Sequence, residues 1–285
     1  MDSFFRGLRR RDFLAVLAAL WVGIALLLPG DSPALGKKKK PNTAAQPPEL
    51  ASRIESLGRT LLNTPLDESD QLTGQIQQLV LDDLQEWFGK NPPGDSADGV
   101  PYEVRVRREM ERAFSKLHYP VFGQPKVFSQ FWNGGVVTVC GYTLGWSDYD
   151  RVNVVALYET RDGKTREAGI DHFVQRAGLD FEVMPAPGST SFRFLAYGIR
   201  LGKSQPRLSA VLYGYDGQTL RSLWQIRDAY DGKLDVKKDT VSIRYLKEDE
   251  YIREIAHKRK PPRHLAIYKS SPQGLTLESD TQIPF

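Results

Sequence analysis

The sequence predicts an α+β domain in which three N-terminal helices pack on a large antiparallel sheet, or on a partly closed β-barrel or sandwich. Residues 50–119 carry apolar side chains at helical spacing, whereas residues 120–285 carry short strand-like runs separated by turn residues. No long helical pattern separates consecutive strands, so a doubly wound parallel sheet is not expected. Because helical stripes need an apolar partner, the two segments are predicted to form one domain.

The three predicted helices each carry one apolar stripe. Their apolar positions are Leu50, Ile54, Leu57 and Leu61, then Leu72, Ile76, Leu79, Val80, Leu84 and Trp87, and then Val106, Met110, Ala113, Phe114 and Leu117. Stripes of this kind are typical of helices that bury one face against a core, so we expect them to be core contacts rather than partner surfaces.

Nine or ten strands are predicted next, and tight turns join most of them, which indicates antiparallel pairing. Asn133-Gly134 lies between two apolar runs and is a strong hairpin signal. Asp162-Gly163 and Asp216-Gly217 indicate two further hairpins, and Asp231-Gly232 is predicted to precede another pair of strands.

One predicted strand offers a candidate binding face. Tyr213 and Tyr215 share a face with Val211, and Leu208 and Leu212 lie on the opposite face, which has the composition of a core. The tyrosine face is therefore a candidate platform for a ligand or partner. Residues 213–224 also resemble the strand–turn–strand of one quinoprotein-type propeller blade. A propeller needs at least ~4 blades of four strands each, and the sequence predicts too few strands for that. Neither a quinone nor any other cofactor is therefore predicted.

Residues 1–36 are predicted to be an export signal. Arg6 and three arginines at 9–11 precede an uncharged apolar run over residues 13–28. As a helix this run spans about 24 Å, which is shorter than the ~30 Å hydrocarbon core of a bilayer. Pro29-Gly30 then breaks the helix, and Ala34-Leu35-Gly36 provides small residues for cleavage.

The start of this signal carries a recognisable export motif. Arg10-Arg11-Asp12-Phe13-Leu14 resembles the twin-arginine signature, in which two arginines and any one residue precede Phe-Leu. The resemblance implies a bacterial cell, a twin-arginine export machinery as partner, and export after folding. We expect a periplasmic or secreted protein after cleavage near Gly36. The alternative is an inner-membrane protein anchored by residues 13–28, and the apolar run also suits the general secretory route.

The positive net charge comes from the N-terminal segments rather than from the folded part. Of the net charge of +4, residues 1–36 contribute +1 and the run Lys37 to Lys40 contributes +4, which leaves −1 for residues 41–285. A nearly neutral body is not expected to bind nucleic acid. Residues 37–49, basic and rich in proline, are predicted to be a flexible linker.

The sequence holds no recognised catalytic or metal-binding motif. The single cysteine, Cys140, excludes an intrachain disulfide and a cysteine-rich zinc site, and it is expected to be buried and inert. There is no phosphate-binding glycine loop and no serine elbow, and no metal site is predicted. Asp171 and His172 are weak catalytic candidates, chosen because they are adjacent in sequence. Neighbours on a strand point to opposite faces, so adjacency does not imply a hydrogen bond between their side chains.

A basic segment near the C-terminus is the best candidate for contact with a partner. It consists of His257, Lys258, Arg259, Lys260, Arg263 and His264. Pro261-Pro262 predicts an exposed connection just before a strand. Acidic residues at 248–250 and 254 offer internal ion pairs as the alternative, although exposed pairs contribute only ~0–1 kcal/mol. The segment is a weak candidate site for anionic lipid head groups or an acidic envelope polymer.

These features together predict an exported bacterial cell-envelope protein whose domain is a non-catalytic binding or structural unit. The alternative is an exported hydrolase whose active-site residues are scattered along the chain. Whether the protein is an enzyme, its ligand and its oligomeric state do not follow from the sequence.

Overall fold

The computed structural model describes residues 50–65, 68–94, 99–114, 125–144, 152–174, 179–185, 188, 190–200 and 205–284. All of these residues belong to one compact unit, Pro48–Phe285. The predicted signal with Arg10, Arg11, Phe13 and Leu14, and the predicted linker, lie outside the described residues. Within the described ranges, no helix has the length and hydrophobicity needed to span a bilayer.

Four helices are present in the described ranges, and the first three agree with the predicted apolar stripes. They are α1 (Leu50–Leu62), α2 (Ser69–Lys90), α3 (Tyr102–Phe114) and α4 (Glu248–Ala256). Helix α4 was not predicted, because it buries no residue and therefore carries no core stripe.

The described strands form two antiparallel sheets rather than one large sheet. The first has four strands in sequence order, namely β1 (Lys126–Trp132), β2 (Gly135–Leu144), β3 (Val152–Arg161) and β4 (Lys164–Val174). The second has seven strands, also in sequence order, namely β5 (Asp180–Val183), β6 (Phe192–Arg200), β7 (Arg207–Tyr215), β8 (Leu220–Lys237), β9 (Thr240–Leu246), β10 (Arg263–Ser271) and β11 (Gly274–Ile283). Its edge strands β5 and β11 do not pair with each other in the described ranges, so the sheet is not a closed barrel.

Local turn chemistry explains most of the strand connections. Asn133 and Gly134 both have positive φ (46° and 77°), as a two-residue type I′ hairpin requires, and the predicted β1–β2 hairpin is confirmed. The Asp162-Gly163 turn between β3 and β4 is confirmed in the same way. Asp231-Gly232 precedes a further antiparallel pairing, as predicted, but it lies within β8, whose pairing with β9 shifts in register between Tyr230 and Lys233. A bulge and a hairpin turn both use a residue of positive φ, here Asp231, so the dipeptide alone does not distinguish them.

The described residues form three apolar cores. The first lies between the N-terminal helices and one face of the four-stranded sheet, to which β3 contributes Val154, Ala156 and Tyr158. The second lies between the two sheets, and β3 contributes Val155 and Leu157 to it from its opposite face. Since β3 is covered on both faces, it is a continuous apolar run rather than an alternating one.

The third core lies on the far face of the seven-stranded sheet and includes Leu208, Leu212 and Ile243. The sheet curls so that the β10–β11 turn reaches the β5–β6 end, where the Ser270 hydroxyl donates to the Pro185 carbonyl at 3.0 Å. Strand β7 is therefore buried on both faces. The expected open platform at Tyr213 and Tyr215 is wrong, because both tyrosines belong to the core between the sheets.

Candidate functional site

Helix α4 positions the predicted basic segment and ends in a tight C-terminal turn. Lys258 has φ of 55°, its N–H donates to the Ile255 carbonyl at 2.9 Å, and the Arg259 N–H donates to the Glu254 carbonyl at 2.8 Å. This pair of bonds is a Schellman motif, in which the position taken by Lys258 is usually occupied by glycine. The turn ends the helix and leaves residues 257–260 exposed, as predicted for that part of the segment.

Polar and aromatic contacts hold α4 on the second sheet. Glu250 Oε2 lies 2.8 Å from Nε2 of His264, and the Tyr251 ring packs 5.8 Å from the ring of Tyr230. Glu248 accepts a hydrogen bond from the Tyr230 hydroxyl. The opposite face of the helix has no cover in the described part of the chain, and Ile252 and Ile255 are 59% and 50% exposed there.

The predicted basic segment is divided by the start of β10. Arg263 pairs with Asp231, and the side chain of His264 is only 7% exposed, so the expectation of an exposed connection is wrong for these two residues. The reason is that β10 begins at Arg263, directly after the two prolines, and strand alternation turns His264 towards α4. The exposed part is therefore His257, Lys258, Arg259 and Lys260.

Beside this segment, the carboxylate of Glu254 contacts two guanidinium groups. Glu254 accepts a hydrogen bond from Arg253 Nε at 3.0 Å, and its other oxygen forms an ion pair with Arg259 Nε at 2.9 Å. The hydrogen bond from Arg253, with the positive charges of Arg253 and Arg259, lowers the pKa of Glu254. The C-terminal end of α4 thus keeps an excess of positive charge next to the two exposed isoleucines. We call Ile252, Ile255, Lys258, Arg259 and Lys260 the basic surface.

The weak catalytic candidates Asp171 and His172 lie on β4 without forming an acid–base pair of side chains in the described ranges. Asp171 Oδ1 accepts from the backbone N–H of His172 at 2.8 Å. Burial, followed by the charge of Asp171, raises the pKa of Tyr213. The carboxylate of Asp171 therefore contacts the backbone rather than the ring of His172, and His172 is exposed.

A polar cleft at one end of the two sheets was not predicted. It has a volume of about 690 Å³ and lies between the β3–β4 turn, the β7–β8 turn and Asn133. The side chain of Glu159 is at its base and is only 5% exposed. Glu159 Oε1 accepts from Arg161 Nη2 at 3.0 Å, and Oε2 accepts from Arg166 Nη2 at 2.6 Å and from the Tyr215 hydroxyl at 2.9 Å.

This arrangement keeps Glu159 ionised. Burial alone would raise its pKa, but hydrogen bonds from Arg166 and Tyr215 and the charges of Arg166 and Arg161 lower it below the usual value. Burial and the bond to Glu159 raise the pKa of Tyr215 to about 12. At neutral pH the cleft therefore holds a carboxylate that accepts hydrogen bonds, not a protonated acid.

A sequence signal for this cluster does exist. Glu159 continues the apolar face of β3 that carries Val155 and Leu157, so it is placed where a strand faces a core. Arg166 stands directly opposite Glu159 across the predicted β3–β4 hairpin. A carboxylate at a core-facing position with an arginine as its cross-strand partner indicates a buried ion pair.

No three histidine, cysteine or acidic residues in the described part of the chain are grouped so that they could hold a metal ion. Cys140 is fully buried, and burial raises the pKa of its thiol, as expected for an inert cysteine. No protein-family model matches the chain, and no curated protein matches it in sequence.

Proposed function

We propose that the chain is an exported bacterial cell-envelope protein whose folded domain is a non-catalytic binding unit that docks on an anionic lipid surface. The observation that carries this proposal is the basic surface, in which two exposed isoleucines adjoin a run of cations. Neither component is needed by the three cores, all of which are built from other residues.

The two isoleucines favour a lipid surface over an acidic polymer. Ile252 and Ile255 are three residues apart, so they lie on the same face of α4, and Lys258 lies in the turn that ends this helix. Apolar side chains gain free energy by entering the acyl boundary of a bilayer, and each lysine or arginine near an anionic surface adds ~1 kcal/mol. An acidic polymer would pair with the cations but would leave both isoleucines in water.

The backbone of Lys258 supports a role outside folding. A residue with a side chain costs ~1–2 kcal/mol in the left-handed region, and glycine avoids this cost. A lysine at this position adds a cation to the basic surface while it weakens the helix terminus. Local strain of this kind is often found where a residue serves binding.

Export is the second part of the proposal and rests on the twin-arginine resemblance. The expected location is the periplasm or the exterior after cleavage near Gly36, and the alternative is an anchor formed by residues 13–28. Changing Arg10 and Arg11 to lysine should abolish export by the twin-arginine route and spare the general route. N-terminal sequencing of the protein from cell fractions distinguishes the locations, since an intact Met1 in the membrane fraction would favour the anchor.

The geometry gives less support to an exported hydrolase. A general acid at neutral pH needs a raised pKa, but the pKa of Glu159 in the cleft is lowered. His172, the candidate partner of Asp171, does not line the cleft.

Vesicle sedimentation tests the docking surface. Residues 48–285 are used, because they contain all three cores and exclude the apolar run at 13–28, which would bind bilayers by itself. The vesicles contain phosphatidylcholine with or without 30% phosphatidylglycerol. We expect binding to the anionic vesicles only, weakened by rising salt because the Debye length is ~8 Å at physiological ionic strength.

Two variants separate the contributions of charge and apolar contact. Changing Lys258, Arg259 and Lys260 to glutamine should weaken binding roughly 100-fold at low salt, since three cations contribute ~1 kcal/mol each. Changing Ile252 and Ile255 to asparagine should also weaken it. The matched controls are the change of Lys233, Lys237 and Lys269 to glutamine, and Leu277→Asn, which alter exposed residues on other elements. Absence of binding by the parent would refute the proposal. Binding to poly-glutamate that is insensitive to the isoleucines would point to an acidic polymer instead.

A further inference from the structure

We propose that the cleft at the ends of β3 and β7 is a second binding site, which takes the carboxylate or phosphate group of a small soluble ligand between Arg161, Lys164 and Arg166. The inference is independent of the basic surface, because it rests on other residues at the turns β3–β4 and β7–β8.

The two guanidinium groups are held in place before any ligand binds. Arg166 uses Nη2 to reach Glu159, the Tyr215 hydroxyl at 2.7 Å and the Gly217 carbonyl at 2.7 Å. Arg161 uses its own Nη2 to reach Glu159 and the Asn133 carbonyl at 3.1 Å. In the described part of the chain these bonds leave Nη1 of both arginines unused. A guanidinium that is already oriented loses little side-chain entropy when it binds an oxyanion.

The cleft has three cations and three carboxylates, and two of these carboxylates already accept hydrogen bonds from the protein. Two arginines share the single charge of Glu159, and Lys164 forms no ion pair with any described residue. Asp216 also lines the cleft, but its carboxylate accepts from its own turn, at the N–H groups of Gln218 and Thr219 at 2.8 Å each. Arg221 lies 3.8 Å from Asp216 and balances its charge. With Asp162 on the rim included, the three cations of the cleft equal its three carboxylates in number.

A structural role alone does not account for this arrangement. A buried carboxylate with its ion pairs is often no more stabilising than apolar residues of the same volume. Here the buried group also orients two half-exposed arginines towards an open cleft. The volume of about 690 Å³ lies within the range of small-ligand sites, and arginine forks fit planar carboxylates and phosphates.

Isothermal titration of the full chain in a neutral detergent tests the site, with inorganic phosphate and citrate as separate probes at 50 mM salt. We expect saturable binding of at least one probe at a single site. Binding of phosphate alone assigns a phosphoryl ligand, and binding of citrate alone assigns a carboxylate ligand. Arg161→Gln combined with Lys164→Gln should weaken binding at least tenfold while the midpoint of urea unfolding stays close to that of the parent.

The control variants separate this site from other exposed arginines and from the proposed docking surface. Arg244→Gln removes an exposed arginine on β9 that does not line the cleft, and it should leave probe binding unchanged. Neutralising Lys258, Arg259 and Lys260 should also leave probe binding unchanged, even where it abolishes vesicle binding. The proposal is overturned if the parent binds neither probe, or if the Arg161 and Lys164 variant binds as the parent does. It is equally overturned if the basic-surface variant is the one that loses binding.

Discussion

The exchange Glu159→Gln tests whether one buried carboxylate connects the two sheets. Glu159 belongs to the first sheet, and its partners include Tyr215 of the second sheet. Arg166 strengthens the link, because it donates to the Gly217 carbonyl in the β7–β8 turn. The amide of glutamine keeps the shape of the side chain, so it removes the charge and one acceptor without leaving a cavity.

The expected loss of stability is about 2 kcal/mol. Removing one partner of a fully buried ion pair costs ~3–5 kcal/mol. Arg161 and Arg166 are 45% and 49% exposed, so each can turn to water and each ionic contact is discounted to ~0–1 kcal/mol. The Tyr215 hydroxyl and one buried acceptor position add about 1 kcal/mol. Glu159→Ala, which leaves the buried Tyr215 hydroxyl without this acceptor, should cost about 3–4 kcal/mol.

Urea unfolding at pH 7 and at pH 3 measures this effect and its sign. The pKa of Glu159 is lowered in the folded state, so its contribution is complete above the ordinary glutamate value of ~4.3 and is lost as the pH falls through the lowered value. The difference between parent and Glu159→Gln should therefore be large at pH 7 and smaller at pH 3. The control Glu86→Gln disrupts an exposed helical pair with Lys90 and should have no measurable effect. Equal stability of parent and Glu159→Gln at pH 7, or a difference that grows in acid, would refute the reasoning.

Three further predictions concern single positions. Gly141→Ala should destabilise the domain by about 1–3 kcal/mol, because the new Cβ would lie 2.5 Å from Leu179 Cδ2 and 2.6 Å from Phe181 Cζ. Gly89→Ala, on an exposed helical position with open space around it, should instead stabilise it by about 0.5–1 kcal/mol, and urea unfolding of both variants checks the contrast. Lys258→Gly should raise the free energy of unfolding by up to about 1 kcal/mol, because glycine adopts the left-handed backbone conformation without strain. Lys258→Gln should give no such gain, and an equal gain from both variants would contradict the strain argument. Cys140 should react with a thiol reagent only as fast as the domain unfolds, because its thiol is buried and burial raises its pKa. Rapid labelling in native buffer would show that the helices do not cover this residue.

Features that depend on neighbouring residues were determined by the sequence alone. The three N-terminal helices follow from apolar spacing that the chain itself carries, and the Asn133-Gly134 and Asp162-Gly163 turns follow from residues that tolerate positive φ. Antiparallel pairing followed from the shortness of the turns. Exposure of residues 257–260 followed from the charges there and from the two prolines after them.

Features that depend on which surfaces meet were decided only by the tertiary structure. A strand pattern shows that the two faces of a strand differ, but it does not show whether a second layer covers the more polar face. The first sheet covers that face of β7, so Tyr213 and Tyr215 are buried rather than exposed. Helix α4 buries no apolar stripe, because polar contacts such as that between Glu250 and His264, rather than core burial, hold it on the sheet. The cleft brings Glu159 to Tyr215 across 56 residues of chain, and no local periodicity encodes a contact over that separation. Local chemistry therefore sets the elements of this protein, and the packing of one layer on another sets its polar sites, because burial is a property of the assembled layers and not of any single segment.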